Sequence, residues 1–417
     1  MDYIDLKYKP KKEDVVCLFR VEPNKISFEK AADTIALESS VGTWTDLITM
    51  NKNIKKLRAR VFEMSKKRKE IKVAYPIELF EKGNVPGILS GIAGNIFGIK
   101  TVKNLRLEDI KFPKSIVKSF KGPRFGINGI RRMLKVKKRP LVGSIIKPKI
   151  GLNWKQHSKV AYEVWSGGLD IIKDDENLVD LDFNKFKKRV VATLKMRDKA
   201  EKETGERKIY MPNITAETKE MIKRAKFVKR NGGEYIMVDI ISLGWGSLQT
   251  LRNENLGLVI HAHRAGHAAL TRNKKHGVSM LTVGKIARLI GVDQLHIGTA
   301  VGKMEGGRTE VKDIEEEIES NLVKEKSHVL EQKWHDMKPV MAVASGGLSA
   351  LNIPDLIKIM GNNVVMQFGG GVHFNKRGSR YGAMGVRQSL DATLKGIRLK
   401  EYAKTHKELK EAIDKFS

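Results

Sequence analysis

The chain has 417 residues, 41% of them hydrophobic, so it is long enough for two domains and can bury a full-sized core. It contains no run of about 18 apolar residues, which excludes a membrane-spanning helix, and its first residues lack the pattern of a secretory signal. Cys17 is the only cysteine, so no intrachain disulfide can form, and we expect a cytoplasmic protein.

The formal net charge of +31 would attract any polyanion, nucleic acid included. Much of the excess lies in lysine-rich stretches with the composition of a solvated surface, such as 66–69, 135–139 and 272–275. No zinc-finger spacing, basic zipper or aromatic RNA-binding strand accompanies them. We therefore interpret the charge as a basic surface without a dedicated nucleic-acid partner, and keep a non-enzymatic nucleic-acid binder as an alternative.

Residues 1–122 are predicted to form a smaller α+β domain. Helices are expected over 27–37 and 85–91, and strands over 43–49 and 71–75. From about residue 140 the pattern becomes a regular alternation of strands and helices. We expect the second domain over 123–395 and a helical extension over 396–417.

The second domain contains eight apolar runs of strand length. These are 141–146, 169–172, 209–214, 235–240, 258–262, 294–297, 340–344 and 364–368. Helices are predicted between and after them, over 154–166, 182–203, 217–231, 247–253, 278–290, 312–330, 353–361 and 382–395. Eight parallel strands with intervening helices close best as a barrel, so the fold class is α/β with a C-terminal (β/α)8 barrel.

The active site of such a barrel lies at the carboxyl ends of the strands, and polar residues are concentrated there. In strand order these are Lys147 and Lys149; Lys173, Asp175 and Glu176; Asn213; His261, His263 and Arg264; His296; Ser345, Gly346 and Gly347; and Gly369, Gly370 and Gly371. Glycines allow backbone N–H groups to approach an anion, and the loops after strands 7 and 8 are the usual phosphate site of barrels. A single Gly-Gly pair is more often a plain turn, but two such loops on adjacent strands favour one bound phosphate.

The stretch from Lys173 to Glu176 follows an apolar strand and predicts a metal centre. Asp175 and Glu176 supply the oxygen ligands that Mg2+ prefers. A salt bridge is the simpler interpretation of Lys173, whereas a lysine with a pKa lowered by burial could add CO2 and become an anionic carbamate ligand. His261 and His263 could instead form a zinc pair, although they follow the lysine in the chain, and one packed histidine beside one functional histidine is the plainer alternative. The lysines of Lys147-Pro148-Lys149 are similar to the paired lysines of enolase-type barrels.

The chain resembles the large chain of ribulose-1,5-bisphosphate carboxylase/oxygenase (RuBisCO) from about Tyr3 to its last helices. The resemblance rests on long segments: 38–44, 94–98, 121–123, 146–152, 167–177, 263–267, 296–306 and 345–347. Segments 211–216 and 262–269 are most like the archaeal (form III) type, which lacks small subunits. That type is implied to salvage the ribose of AMP and other nucleotides.

The resemblance implies a ferredoxin-like N-terminal domain and a role for each motif residue. Lys173 would be carbamylated by an activating CO2 and would bind Mg2+ with Asp175 and Glu176. Lys147 would remove the C3 proton of ribulose bisphosphate and later protonate the product, while His263 assists. Lys149 would support the enediolate and Lys303 would reach the CO2 being added.

The resemblance also implies how the substrate is held. One phosphate would contact Gly346, Gly347, Gly369 and Gly370 together with Thr43 and Trp44 of the other subunit, and the second would contact Arg264 and His296, with Ser345 on a substrate hydroxyl. Glu38 and Asn95 would also come from the partner, so the smallest unit is a homodimer, with larger assemblies of dimers open. Carboxylation and oxygenation are expected; the alternative is a RuBisCO-like enolase or isomerase. The segment 373–377 departs from the family and adds Lys376 and Arg377 beside the phosphate loop.

Overall fold

The computed structural model describes residues 2–301 and 307–417. Its strands are β1 (Val15–Pro23), β2 (Arg60–Ser65), β3 (Glu70–Tyr75), β4 (Val102–Lys111), β5 (Leu141–Ile145), β6 (Ile171–Lys173), β7 (Ile209–Met211), β8 (Tyr235–Asp239), β9 (Val259–His263), β10 (Gly277–Val278), β11 (Gln294–His296), β12 (Leu322–Val323), β13 (Gln332–Lys333), β14 (Met341–Ser345) and β15 (Val364–Phe368).

The α-helices are α1 (Phe28–Glu38), α2 (Lys52–Lys55), α3 (Val85–Ala93), α4 (Lys114–Ser119), α5 (Gly126–Leu134), α6 (Trp154–Ser166), α7 (Phe186–Thr204), α8 (Thr218–Arg230), α9 (Ile240–Leu243), α10 (Trp245–Asn253), α11 (Ala268–Thr271), α12 (Met280–Ile290), α13 (Arg308–Glu319), α14 (Ile353–Met360), α15 (Gly370–His373), α16 (Ser379–Leu394), α17 (Leu399–Tyr402) and α18 (Lys407–Phe416). Within the described ranges, no helix is long and apolar enough to cross a membrane.

The larger of two compact units contains 123–265, 291–319 and 338–417 and is built on an eight-stranded parallel sheet. The strand order is β7-β6-β5-β15-β14-β11-β9-β8, so neighbours in the chain are neighbours in the sheet. The two edge strands meet through a parallel bridge between Asn213 and Met237, which closes the barrel. The predicted α/β barrel is confirmed.

Apolar side chains fill one end of this barrel. Helix α5 packs Ile127, Ile130 and Leu134 against residues from the amino-terminal ends of the strands, among them Leu141 and Ile171. Burying such aliphatic side chains stabilises the unit by about 1.5–3 kcal/mol each. The opposite end of the barrel, where the strands finish, is therefore left for polar chemistry.

The smaller unit contains 1–122, 266–290 and 320–337. Strands β1 to β4 form an antiparallel sheet in the order β4-β1-β3-β2, and α1 and α3 follow β1 and β3, which is the ferredoxin-like arrangement. The short β10 adds a parallel edge beside β4. Helix α12 joins this unit through Lys285, whose Nζ lies 2.7 Å from a carboxylate oxygen of Asp109, with both side chains fully buried.

The structure corrects two details of the predicted secondary structure. The predicted strand 43–49 is irregular backbone that pairs with no strand of the described chain, and the predicted helix 312–330 ends at Glu319, after which β12 and β13 form a small hairpin. Segments 266–290 and 320–337 belong to the smaller compact unit, although a division at residue 122 would assign them to the second domain. The linear boundaries 1–122, 123–395 and 396–417 stay a prediction.

Candidate active site

The carboxyl ends of the barrel strands bring together most of the polar residues that the sequence singles out. In the larger unit these are Lys147 and Lys149 after β5, Lys173 at the end of β6, Asn213 after β7, His261 and His263 in β9, His296 in β11, Ser345 in β14, and Gly369 after β15. Parallel strands of a barrel all end on the same side, so these groups form one polar mouth. The site therefore faces away from the apolar end that α5 covers.

Lys173 is buried, with 1% of its surface exposed. Its Nζ donates to the backbone carbonyl of Asp174 at 2.8 Å and lies 3.0 Å from the sulfur of Met237. Burial lowers the pKa of Lys173, although the carboxylates of Glu176 and Asp239 act in the opposite direction. The amine is thus shifted toward its neutral, nucleophilic form.

Asp175 and Glu176 each face a lysine from the loop after β5. Lys147 Nζ lies 2.7 Å from Asp175 Oδ2, and Lys149 Nζ lies 3.3 Å from Glu176 Oε1. Burial opposes ionisation of Glu176, but its own backbone N–H and the nearby cations outweigh burial and lower the pKa of Glu176 to about 2. Both carboxylates are therefore sites where positive charge is held.

These donors fit a hard divalent cation only in part. Among the described residues, no three side chains of histidine, cysteine, aspartate or glutamate are grouped as a metal site would require. Asp175 and Glu176 provide two oxygen-donor side chains, and Mg2+ accepts such donors together with retained waters. A carbamate on Lys173 would supply a further anionic oxygen donor, so the residue set fits Mg2+ once that lysine is modified.

Asp174 is the buried anchor of this loop. Its Oδ1 accepts from the hydroxyl of Tyr210 at 2.8 Å and lies 3.1 Å from His157 Nε2, while its Oδ2 accepts from Arg189 Nε and from the backbone N–H of Asn213, both at 3.1 Å. Arg189 and His157 outweigh the opposing effect of burial and hold the pKa of Asp174 at about 2. A permanently ionised carboxylate thus fixes the residues on either side of it, Lys173 and Asp175.

His263 is oriented by Asp239, a residue outside the predicted site. Its Nδ1 lies 2.8 Å from Oδ1 of Asp239, at the end of β8. The other carboxylate oxygen of Asp239 accepts from Thr215 and Asn213. The backbone N–H of Ala265 also lies near Nδ1, at 3.3 Å, but the contact with Asp239 is the shorter one and a carboxylate can only accept. Nδ1 of His263 therefore donates to Asp239, and Nε2 is presented as the basic nitrogen.

His261 and His296 form a buried pair beside His263. His261 Nδ1 is hydrogen-bonded to Gln294 and its Nε2 lies 2.8 Å from Nε2 of His296. Burial lowers the pKa of His261 to about 3 and the pKa of His296 well below 6.5. Both ring nitrogens of His261 are engaged, so the zinc pair of His261 and His263 is not formed, and His261 is the packed histidine of the two.

The glycine loops after β14 and β15 have the backbone that close anion approach requires. Gly346 and Gly347 have φ values of 123° and 69°, which favour glycine. A Cβ at Gly369 would lie 3.2 Å from Cε of Lys147, so the loop after β15 passes directly beside the Lys147 side chain. On the other side of the mouth, burial lowers the pKa of Arg264 to about 10, so that side chain stays a cation at neutral pH.

The two added cations after the last glycine loop are not equivalent. Arg377 donates to Glu408 at 3.0 Å and to Glu411 at 2.9 Å, so its charge is already neutralised. Its guanidinium also lies over the ring of Tyr381. The prediction that Lys376 and Arg377 act as two extra cations beside the phosphate loop stays a prediction.

Several predicted site residues lie elsewhere or cannot be described. Glu38, Thr43, Trp44 and Asn95 belong to the smaller unit, where the Trp44 side chain is 89% exposed. Lys303 falls in 302–306, outside the described residues. Their assignment to the substrate stays a prediction.

A closed eight-stranded parallel barrel that collects lysines, carboxylates and histidines at its carboxyl end defines a (β/α)8-barrel enzyme. Residues 126–416 match the family model of the ribulose bisphosphate carboxylase large chain, catalytic domain, and residues 2–116 match that of its N-terminal domain. The chain belongs to this family, and the predicted resemblance is confirmed.

Two relatives and two solved structures illustrate the similarity. It is 51% identical to a ribulose bisphosphate carboxylase of Methanosarcina barkeri, covering 100% of this chain and 99% of the relative, and 50% identical to one of Methanocaldococcus jannaschii, covering 99% of each. The dimeric archaeal Rubisco of Hyperthermus butylicus superposes with a TM-score of 0.94 at 44% identity, covering 100% of this chain and 98% of the other. The octameric enzyme of Pyrococcus horikoshii gives 0.93 at 45% identity, covering 99% and 96%.

Proposed function

We propose that the chain carboxylates ribulose 1,5-bisphosphate, so that one substrate, one CO2 and one water give two molecules of 3-phosphoglycerate, with oxygenation as a side reaction. The observation that carries the proposal is Lys173. It is a buried amine at the barrel mouth, and the carboxylates of Glu176 and Asp175 lie near it. Its Nζ donates to a backbone carbonyl and forms no ion pair within the described part of the chain. This combination favours the addition of CO2 to the amine.

The proposed activation begins at Lys173. The neutral Nζ attacks CO2, a C–N bond forms as one C=O π bond opens, and one proton leaves the nitrogen, so that the amine becomes an anionic carbamate. Asp175, Glu176 and this carbamate would hold Mg2+, which when bound stabilises negative charge that develops on the substrate oxygens. Lys147 and Lys149 leave their carboxylates when those acquire another cationic partner.

The proton transfers are proposed for Lys147 and His263. Lys147 must first leave Asp175 and give up its own proton before the neutral amine can accept the C3 proton, and it then returns that proton to the new carbanion of the product. Nε2 of His263 is the basic nitrogen because Asp239 holds the proton on Nδ1, so it can take a proton from the C3 hydroxyl. Lys149 would support the enediolate, and Lys303 would contact the incoming CO2.

The two phosphates are proposed to lie on opposite sides of the mouth. Gly346, Gly347, Gly369 and Gly370 offer backbone N–H groups on one side. On the other side Arg264 offers a cation and His296 a ring nitrogen, and Ser345 is assigned to a substrate hydroxyl.

Glu38, Thr43, Trp44 and Asn95 are proposed to complete the site from a second subunit of a homodimer. The dimeric and octameric archaeal relatives support a homo-oligomer built from the chain alone, with no small subunit required. We further propose a cytoplasmic enzyme that salvages the ribose of AMP and other nucleotides. Purification followed by mass measurement in solution tests the assembly.

The test of the activity is fixation of labelled bicarbonate by the purified chain with Mg2+ and ribulose bisphosphate after preincubation with CO2. We expect acid-stable label, and we expect Lys173→Arg to abolish it, because arginine keeps the positive charge but cannot form the carbamate. Absence of label in the unmodified chain would contradict the proposal. Exchange of the C3 proton with solvent without fixation would indicate the enolase or isomerase alternative.

A further inference from the structure

A groove on the outer surface of the barrel has no part in the proposed reaction. Helices α6, α7 and α8 line this open groove, which has a volume of about 850 Å3. Its floor is apolar and half-buried, formed by Trp154, Tyr162, Val191, Ala192, Met196 and Phe227. The volume is within the range of ligand and peptide sites, so the cavity is large enough to bind several side chains of a partner.

Lysines form both sides of this groove. The six are Lys155, Lys159, Lys187, Lys188, Lys195 and Lys199, and all of them are exposed. Within the described part of the chain none of the six forms an ion pair with a carboxylate, and no acidic residue lines the groove. Three of them instead lie over aromatic rings, with Nζ 5.3 Å from the ring centre of Trp154, 5.8 Å from that of Phe227 and 4.5 Å from that of Tyr162.

The lysines and the apolar residues follow the spacing of the helices. Lys155 and Lys159 are four residues apart on α6, as Lys195 and Lys199 are on α7, so each pair lies along one side of its helix. From 187 to 199 the α7 side of the groove extends for about 18 Å, or about three helical turns. Rows of lysines four residues apart can form ion pairs with acidic residues at the same spacing on a helix that binds in the groove.

We propose that this groove is a docking site for an acidic amphipathic helix of a partner protein. The partner's apolar face would bury the floor, and acidic residues on both of its flanks would pair with the lysines. The groove has the concave apolar shape that helix binding uses. It also gives part of the net charge of +31 a specific location.

Other occupants fit the groove less well. Nucleic-acid interfaces are polar throughout, whereas the floor of this groove is apolar. No arginine lines the groove, and Ser158 is its one neutral polar side chain apart from the aromatic residues. A second intact copy would have to offer an acidic amphipathic helix. The acidic helix α13 cannot do so, because Val311, Ile314 and Ile318 are already buried within its own unit.

The test measures binding of a fluorescent model peptide to the full-length chain by anisotropy. The peptide has about 18 residues, with leucines along one face and glutamates along the other, and a scrambled peptide of equal composition serves as its control. We expect the patterned peptide to bind and the double variant Lys188→Glu with Lys195→Glu to weaken binding by roughly tenfold or more. Met196→Glu, which keeps every lysine, should also weaken it.

The matched control is Lys137→Glu with Lys138→Glu, which removes two exposed lysines of the same unit outside the groove. It should bind the peptide as the unmodified chain does, and circular dichroism should show all variants folded. Equal losses in both double variants, or equal binding of the scrambled peptide, would overturn the proposal. So would tighter binding of a polyuridine strand in the groove, or a change in oligomeric state caused by the groove variants without peptide.

Discussion

The carboxylate of Asp239 decides which nitrogen of His263 carries the proton. Asp239 Oδ1 accepts from Nδ1, and Thr215 and Asn213 hold the second oxygen, so neither the carboxylate nor the ring can rotate without breaking a hydrogen bond. The basic Nε2 points toward Glu176, 3.9 Å from its Oε2. Asp239 is therefore a positioning residue for proton transfer at His263.

Asp239→Asn should reduce kcat because an amide can also donate and so permits the wrong tautomer. We expect a loss of about 100-fold in kcat, with KM changed little, measured by steady-state carboxylation. Nitrogen NMR of the His263 ring should show the altered tautomer. Asp182→Asn, at a fully exposed carboxylate, is the matched control, and an unchanged kcat in Asp239→Asn would refute the positioning role.

The sequence identified the residues of the site that end predicted strands but missed their supports. Asp239 lies one residue before the end of the strand predicted over 235–240 and could have been selected by the same rule. Met237, whose sulfur contacts Lys173, lies inside an apolar run and carries no such signal. Likewise, the pairing of Arg377 with two glutamates of α18 depends on how the last helices pack, which a single sequence does not specify.

At the scale of elements, Asp174 joins four parts of the barrel. It binds His157 of α6, Arg189 of α7, Tyr210 of β7 and the backbone after β7. All of these contacts are buried, so removing the charge of Asp174 leaves Arg189 without its counter-ion in a medium of low dielectric constant.

Asp174→Asn should lower the free energy of unfolding by about 3 kcal/mol, measured by denaturant titration. The double variant Asp174→Asn with Arg189→Met should lose less stability than the sum of the losses of the two single variants, because Arg189→Met removes the charge that Asp174→Asn leaves unpaired. Asp198→Asn, in a partly exposed pair with Arg197, should alter stability by no more than about 0.5 kcal/mol. Additive losses in the double variant would contradict this account.

Local sequence predicted most barrel elements because each has its own periodicity and boundary residues. Helix α6 was predicted with its observed bounds, and its start is fixed by a capping box between Asn153 and Gln156. The strand predicted over 43–49 did not form because its strand-forming residues have no strand to pair with among the residues that the structure describes. Membership of α12 in the smaller unit depends on the buried contact of Lys285 with Asp109, between residues 176 positions apart in the chain, which local patterns do not reveal.

For the whole molecule, the buried histidines make stability depend on pH. His261 has a pKa of about 3 in the folded chain and about 6.5 when unfolded, so below about pH 6.5 the unfolded state binds a proton that the folded state does not. Above about pH 6.5 the titration of His261 takes nothing from the free energy of unfolding, and the loss of stability grows as the pH falls from about 6.5 toward 3. Protonation of Asp174 lowers the stability further, but only as the pH falls from about 3.8 to about 2.

Denaturant titrations at fixed protein concentration should therefore show stability falling by roughly 1 kcal/mol per pH unit or more between about pH 6.5 and pH 5. His261→Gln should flatten this slope, since glutamine does not titrate, even if it lowers stability at neutral pH. The same slope in both proteins would show that other groups control the dependence.

The closure of the barrel at Asn213 and Met237 has a consequence for hydrogen exchange. Here β7 and β8 meet through backbone bonds from Ile214 N to the Met237 carbonyl and from Met237 N to the Pro212 carbonyl, and proline offers no N–H of its own. By contrast, β8 and β9 pair along five residues. The contact between β7 and β8 should therefore open more often than the contact between β8 and β9. The amides of Ile214 and Met237 should then exchange with deuterium sooner than those of β9. Since Met237 contacts Lys173, each opening would briefly release the amine from its sulfur partner.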